Sequence, residues 1–430
     1  MILLDLPLPF VLTFLFIIGS CIGSFLNVCI YRFPIRRRLW DQLRALNSHG
    51  SGCPRCSSAI RWYDNIPIFG WLRLGGRCRF CRLPISPRYP LVELLTAVLF
   101  VVLYLVEIPQ HAHGSPLAWG LYSDDGPQNL TNLHSLELWL HVRYLLHAAL
   151  ICALIVASMI DLELWIIPDG STVPLMLTSI VLSGAFGQNW IVPLWFQDLS
   201  VIQTLQTLLP ESVAPLLFYW DCLPFAQQWP HLHGLLVSLT GLVVGGGVVW
   251  LVRIIGAAVF KREAMGFGDV VLMAMVGSVI GWQASLIVFL FLAPLMASVV
   301  AFSSLLLGRG TEIPYGPWLS LATLVLLLGW RLIWPAAEQF FDQGPVLLLL
   351  GLIMFGLLVV VLHMIQLLKR LLGIQGPAQE GVFVDDGIPI LYPAERSDPC
   401  AGLWQRSNWS GIRSGQGLQQ QHMWKCNGRD

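Results

Sequence analysis

Nine long apolar segments constrain the fold of this chain more than any other feature. About 20 apolar residues are needed for a helix to cross the hydrocarbon core of a bilayer. Only 12% of the residues are charged, too few for an ordinary soluble surface. We therefore predict an all-α polytopic membrane protein with eight to nine transmembrane helices. The segments are Pro9–Tyr31, Tyr89–Ile108, Leu136–Ile160, Ile167–Phe186, Gly234–Phe260, Asp269–Gly281, Ala284–Leu307, Pro317–Trp334 and Pro345–Leu368.

The distribution of arginine predicts the orientation in the membrane. Between Arg32 and Arg88 there are twelve arginines and only two acids, whereas the loops Pro109–Ser135 and Gly187–His233 contain no Lys or Arg. Basic loops stay in the cytoplasm, which predicts an external N-terminus and a cytoplasmic arginine-rich loop. The first segment lacks a basic start, so we expect a retained anchor and not a cleaved signal peptide. The arginines are expected to be solvated or to contact membrane lipids, and we predict no nucleic-acid partner.

Four cysteines in the arginine-rich loop form two CxxC pairs. Cys53 and Cys56 make the first pair, and Cys78 and Cys81 make the second. Two pairs at this separation strongly indicate four thiolates around one tetrahedral zinc ion. We predict a structural Zn²⁺ in a small domain, 32–88, that is too short for a large core of its own. A redox role of the CxxC pairs is the alternative.

Asp269 opens the sixth and shortest apolar segment, directly after Gly266 and Gly268. A carboxylate is costly at membrane depth, which predicts a functional acid with a partner nearby. The glycines allow the backbone to bend and another helix or a peptide to approach. The alternative is a glycine loop followed by an aspartate that caps a helix. The short segment itself should be shielded by neighbouring helices.

Asp161 is the predicted partner of Asp269. It ends the third segment, where the negative end of the helix dipole does not help a carboxylate, and both acids fall at cytoplasmic membrane boundaries. Two carboxylates about 3–5 Å apart cannot both ionise cheaply, so the pair is expected to share one proton. Such a pair can hydrolyse a peptide bond by general acid–base catalysis.

Five other polar residues support these motifs. Asn27 is expected to form a hydrogen bond across a helix interface, and Arg88 should lie at the membrane surface. Glu93, one turn inside the second segment, should pair with a basic group in a structural or a catalytic role. Glu163 should be solvated, and Asp169 can cap the first turn of the fourth segment.

The motifs together resemble those of a known family, the type IV prepilin peptidases. They are GSFLNVCIYRFP, CPRCSSAIRWYDNIPIFGWL, GGRCRFCRLPISPRYPLVELLT, the Asp161–Asp169 stretch and GFGD, in the family's order between Gly19 and Trp334. The resemblance implies a GxGD-type intramembrane aspartyl protease of the bacterial inner membrane. Its catalytic pair would be Asp161 and Asp269, with Asp169 in the motif but not catalytic. Its substrates would be type IV prepilins or pseudopilins, and many members also methylate the new N-terminus with S-adenosylmethionine.

Three features depart from the family pattern. Val271 occupies a position that is commonly Lys, the outer loops are longer than usual, and a ninth segment and a tail are extra. The predicted organisation is therefore a first transmembrane helix, a zinc domain, a peptidase core, an extra helix and a disordered tail. The corresponding ranges are 1–31, 32–88, 89–334, 335–370 and 371–430.

Two functions of other classes stay open on the residues alone. A proton- or cation-coupled transporter would use a buried pair of aspartates as a relay. A zinc-stapled assembly platform for a pilus or secretion system would need no catalytic acid, and Val271 is the one observation that favours it.

Overall fold

The computed structural model describes residues 7–371, except 37, 48–49, 51, 54–55, 57, 109–132, 209, 211–213, 215–216, 221, 261–264, 307–313 and 345. Most of the predicted outer loop Pro109–Ser135, and all but the first residue of the predicted tail 371–430, lie outside the described residues. The helices are α1 (Leu8–Arg32), α2 (Leu39–Ala45), α3 (Phe69–Arg73), α4 (Arg88–Glu107), α5 (Leu133–Leu164), α6 (Asp169–Phe186), α7 (Leu199–Leu208), α8 (Leu223–Gln228), α9 (Pro230–Phe260), α10 (Phe267–Ile280), α11 (Trp282–Ile287), α12 (Ala293–Leu306), α13 (Gly316–Phe341) and α14 (Val346–Leu371).

Seven helical segments are long and apolar enough to cross a membrane, and the two other predicted segments are α6 and the shorter helix α10. Among the described residues there is no strand, only two isolated β-bridges. The prediction of an all-α polytopic membrane protein is therefore confirmed. Six of the segments lie in α1, α4, α5, α9, α13 and α14, and the seventh runs from α11 into the first half of α12.

Helix α10 is the best buried helix of the bundle. Its 14 residues span about 21 Å, less than the roughly 30 Å of a hydrocarbon core. Ten of them are buried, because α5, α6, α9 and α13 all pack against it. A short helix with this degree of enclosure is shielded from lipid, as the sequence predicts.

Glycines bring α9 and α10 into backbone contact. A Cβ built on Gly277 would lie 2.0 Å from the carbonyl oxygen of Gly241, and a Cβ on Gly241 would lie 2.0 Å from the carbonyl oxygen of Gly277. One turn further along α9, a Cβ on Gly245 would lie 2.5 Å from the carbonyl oxygen of Met273. Small residues allow this approach in membrane helices, and the close contact fixes the position of α10.

Ser278 adds hydrogen bonds to the same interface. Its hydroxyl lies 2.7 Å from the hydroxyl of Ser179 on α6, and the hydroxyl of Ser238 on α9 donates to the Ser278 carbonyl at 2.7 Å. All three residues are buried. Three helices are therefore joined at one level by hydrogen bonds that no water can replace inside a membrane.

A second hydrophobic core lies between α1, α4 and one side of α5. A Cβ on Gly19 would lie 2.7 Å from the Cα of Ala97, and one on Gly23 would lie 2.6 Å from the Cα of Glu93, so α1 and α4 also approach through glycine. The side-chain amide of Asn27 donates to the carbonyl of Tyr89 at 3.0 Å. The prediction that Asn27 bonds across a helix interface is confirmed.

We predict that Gly277→Ala lowers the midpoint of thermal unfolding in detergent. The new methyl group would collide with the Gly241 backbone, and overpacking of this kind costs about 1–3 kcal/mol. Gly351→Ala is the matched control, because nothing lies within 4 Å of a Cβ at Gly351. Equal midpoints for the two variants would contradict the close α9–α10 contact.

Candidate active site

Asp269 lies in the first turn of α10, where its carboxylate binds the start of its own helix. Gly266 is the N-cap residue, so Asp269 occupies the third helical position. The carboxylate accepts a hydrogen bond from the backbone N–H of Gly266, as the third residue does in a capping box. Asp269 is 8% exposed. The predicted alternative, a helix cap, is thus partly correct, but the capping group acts from the third position.

Asp161 lies one turn before the end of α5 and receives its hydrogen bond from a different helix. Its carboxylate, 6% exposed, accepts from the backbone N–H of Gly316, the first residue of α13. The positive end of the α13 dipole therefore compensates for the unfavourable end of α5. Asp161 and Asp269 also lie close enough to interact electrostatically. The two acids that the sequence pairs are brought together.

The first turn of α13 adjoins both acids. Gly316 binds Asp161, and the neighbouring Tyr315 lies near Asp269. Sequence analysis missed both residues, because a backbone N–H carries no side-chain signature and the tyrosine belongs to no motif that it used. The available signal was their position: the topology places this turn at the same membrane boundary as the two acids.

Ile167 fills the space that two of the glycines leave. Its Cβ lies 3.0 Å from the position of a Cβ on Gly268, and its Cδ1 lies 3.1 Å from that of a Cβ on Gly316. A Cβ on Gly316 would also come within 2.5 Å of Asp161 Oδ2. Gly268 therefore serves close packing against the α5–α6 connection. Approach of a substrate to Gly266 and Gly268 stays a prediction.

Arg253 of α9 holds the backbone that leads into Asp269, and sequence analysis did not single it out. Its Nε donates to the carbonyl of Met265 at 3.1 Å, and its guanidinium lies 5.8 Å from the ring centroid of Phe267. These two residues flank Gly266, the N–H donor to Asp269. Val271, at the position where the family commonly has Lys, is partly buried in α10.

Two charged residues near the site have partners that the sequence did not predict. Glu163 is only partly solvated, with 31% of its side chain exposed, and its Oε1 accepts from Arg88 at 2.7 Å. Among the described residues Glu93 has no basic partner; its Oε2 accepts the backbone N–H of Ile68 at 2.6 Å. Both contacts tie neighbouring segments to one another, Glu163 to the start of α4 and Glu93 to the start of α3.

Asp169 is the first residue of α6 and is exposed. A negative charge there is favoured by the helix dipole. The next residue, Gly170, donates its N–H to Gln42 Oε1 at 2.6 Å. Helix α2 of the arginine-rich region thus docks on the start of α6, at the same end of the molecule as Asp161.

The four predicted cysteine ligands form one cluster. All four sulfurs lie within 4.8 Å of one another, and the Cys53–Cys81 and Cys56–Cys78 sulfur pairs are each 3.9 Å apart. A tetrahedral zinc ion bound about 2.3 Å from each sulfur would separate them by about 3.8 Å. The cluster is therefore compatible with a structural zinc ion.

The two cysteine pairs are enclosed in the same way. An isolated β-bridge flanks each pair, Gly52 with Ala59 and Arg77 with Pro84. The first cysteine of each turn donates its N–H to the carbonyl of Ser58 or Leu83, in both cases at 2.9 Å. A hydrogen bond with Ser58 lowers the pKa of the Cys56 thiol to about 6. A lower thiol pKa favours the thiolate, which is the form that binds metals.

Comparisons with known proteins agree with these motifs. Residues 17–106 match the profile of the bacterial peptidase A24 N-terminal domain, and residues 190–302 match that of the type IV leader peptidase family. Asp269 falls in the second range, and Asp161 lies between the two ranges. No solved structure matches the chain significantly.

Curated relatives cover most of the chain. A prepilin leader peptidase/N-methyltransferase of Myxococcus xanthus is 33% identical over 69% of this chain and 64% of the relative. Proteins of the same description from Klebsiella pneumoniae and Aeromonas salmonicida are 31% and 30% identical, over 63% and 75% of this chain and 86% and 91% of the relatives. The chain therefore belongs to the type IV leader peptidase family.

Proposed function

We propose that this family member is an aspartic endopeptidase that cleaves the N-terminal leader of type IV prepilins or pseudopilins, with Asp161 and Asp269 as its catalytic pair. The observation that carries the proposal is the meeting of two buried carboxylates from separate helices, α5 and α10. Membership of a peptidase family favours hydrolysis over ion transport or a purely structural role. The names of the relatives point to prepilins as substrates.

The mechanism is general acid–base hydrolysis without a covalent intermediate. Burial and mutual repulsion leave one proton shared between the two carboxylates. The ionised member removes a proton from a water molecule that attacks the scissile carbonyl, and the protonated member donates a hydrogen bond to the carbonyl oxygen. The tetrahedral intermediate collapses when the leaving amine takes a proton from the pair. Backbone N–H groups of Gly266 and Gly316 hold the two acids in place throughout.

Cleavage takes place at the cytoplasmic face of the bacterial inner membrane, with the N-terminus of the protein outside. Two features support this orientation. The region 32–88 holds twelve arginines, and basic segments stay in the cytoplasm. The contacts of Gln42 with Gly170 and of Arg88 with Glu163 join this region to the end of the bundle that carries Asp161.

Zinc is proposed as a structural ion. The four sulfurs would hold it, and it would fold the segment between α2 and α4, which has few buried residues of its own. S-adenosylmethionine would be the methyl donor if this chain shares the N-methyltransferase activity in the names of its relatives. Mass spectrometry of a processed pilin N-terminus would detect a methyl group directly.

We predict that Asp161→Asn and Asp269→Asn each lower the rate of leader cleavage at least roughly a hundredfold, since each removes one half of the acid–base pair. Cleavage of a co-expressed prepilin, followed by gel shift and mass spectrometry, measures the rate. Asp169→Asn is the control and should cleave normally, because Asp169 is exposed at the start of α6. Normal cleavage by either buried variant, at equal expression, would refute the assignment.

Gly316→Ala is predicted to slow cleavage about a hundredfold. The added methyl group would lie 2.5 Å from Asp161 Oδ2 and displace it, and a displacement of about 1 Å has a cost of this order. Gly329→Ala in the same helix is the control, because its Cβ would make an ordinary 3.4 Å contact with Ile333. If both variants cleave at the wild-type rate, α13 does not position Asp161.

We predict about one zinc ion per chain, lost in the double variant Cys53→Ser, Cys78→Ser. Elemental analysis of the purified protein by mass spectrometry measures the ratio. The double variant Cys21→Ser, Cys152→Ser changes two cysteines outside the cluster and should retain the ion. Full zinc content in the first variant would exclude the four-cysteine site.

A further inference from the structure

Segment 66–72 of the arginine-rich region lies at membrane depth, although it belongs to a loop between two spans. Its Ile68 N–H is 2.6 Å from Glu93 Oε2, and Glu93 is five residues, about 7.5 Å, along α4 from Arg88. The 20 residues of α4 are only just long enough to cross a hydrocarbon core. Glu93, and with it the start of α3, therefore lies below the cytoplasmic surface of the hydrocarbon region.

Contacts with α1 give the same depth independently. Glu93 also accepts a hydrogen bond from Ser24, and a Cβ on Gly23 would lie 2.6 Å from the Cα of Glu93. Ser24 is eight residues, about 12 Å, before the end of α1 at Arg32. Two spanning helices thus agree that Ile68 is held below their cytoplasmic ends.

Large apolar side chains on this segment face outwards. Phe69 is 69% exposed and Leu72 is 59% exposed, while the backbone between them is held inside by a contact of Gly70 with the carbonyl of Asp64. At the depth set by Glu93, an outward side chain of the bundle faces lipid and not water. Trp62, 81% exposed, lies in the turn that packs on this helix, and tryptophan favours the membrane interface.

An arginine cluster adjoins the same segment. The guanidinium groups of Arg61, Arg73 and Arg79 lie 5.8, 5.6 and 5.5 Å from the ring centroid of Tyr63. Among the described residues, Asp64 is the one acid that pairs with the cluster, through Arg79. That guanidinium lowers the pKa of the Asp64 carboxyl, so the acid stays ionised and neutralises one of the three positive charges.

From these four observations we infer that segment 66–72 is a membrane anchor of the cytoplasmic domain, and that the Arg61–Arg73–Arg79 cluster binds the phosphates of anionic phospholipids above it. Apolar side chains below and cations above match the order of acyl chain and head group across the interface. The inference does not depend on peptidase activity. The zinc domain is then attached to α1 and α4 at three points. Two of them are the covalent ends of the domain, and the third is α3.

Photo-crosslinking in native membranes tests the occupant of this surface. Phe69 is replaced by p-benzoylphenylalanine in the full-length protein, and the adducts are identified by mass spectrometry. We expect a phospholipid adduct. Leu332, which is 85% exposed on α13, is the positive control and should give the same kind of adduct. Leu319 is fully buried, so the same replacement there should form an adduct within the chain. An adduct only with a second copy or with another polypeptide, or no phospholipid adduct at all, would overturn the inference.

The charge component is tested by native mass spectrometry of protein reconstituted with phosphatidylglycerol and phosphatidylcholine. The double variant Arg61→Gln, Arg73→Gln should lose roughly thirtyfold of its preference for phosphatidylglycerol, since each arginine near a membrane surface contributes about a factor of five. The variant Arg38→Gln, Arg44→Gln has the same net charge and exposed positions in or beside α2; it should retain most of the preference. Equal losses in the two variants would show that the cluster has no specific role.

Discussion

Two carboxylates buried between helices need hydrogen-bond donors, and the first turns of two helices provide them. Asp269 takes its donor from the first turn of its own helix, through Gly266. Asp161 takes its donor from the first turn of α13, through Gly316. Both donors are backbone groups at the positive end of a helix, where a negative charge is stabilised without a cationic side chain. Within the part of the chain that the structure describes, neither acid has a salt bridge that would commit it to the ionised form.

The approach of these helix ends depends on small residues. Gly241 and Gly277 bring α9 against α10, and Gly268 and Gly316 admit Ile167 between the two turns that carry the site. A methyl group on Gly241, Gly277 or Gly316 would displace backbone or Asp161, and one on Gly268 would press on the Ile167 side chain. The arginine-rich region contacts the same end of the bundle, through Gln42 at the start of α6 and Arg88 at the end of α5. Several helices, together with the arginine-rich region that packs on them, therefore determine the position of the two acids.

Much of this architecture could be predicted from the sequence, for identifiable physical reasons. Apolar length predicted the helices, and the cysteine spacing predicted a cluster that the structure brings together. Asp161 and Asp269 were recognisable because an acid in an apolar segment is costly. The partners of Glu93 and Glu163 were not predictable, since the choice between a nearby arginine and a backbone N–H depends on packing between distant segments. Tyr315, Gly316 and Ile167 could not be identified from residue type, because their contribution is a neighbouring ring, a backbone donor or a shape; for Tyr315 and Gly316 the only signal was the position of their turn.

A double-mutant cycle of leader cleavage measures whether Asp161 and Asp269 act as one unit. Groups that share a single chemical step lose their contribution together, so the effects of the two substitutions should not multiply. We expect the double variant Asp161→Asn, Asp269→Asn to cleave no more slowly than the slower single variant. A double variant whose loss equals the product of the two single losses would contradict this expectation, because the two acids would then contribute independently.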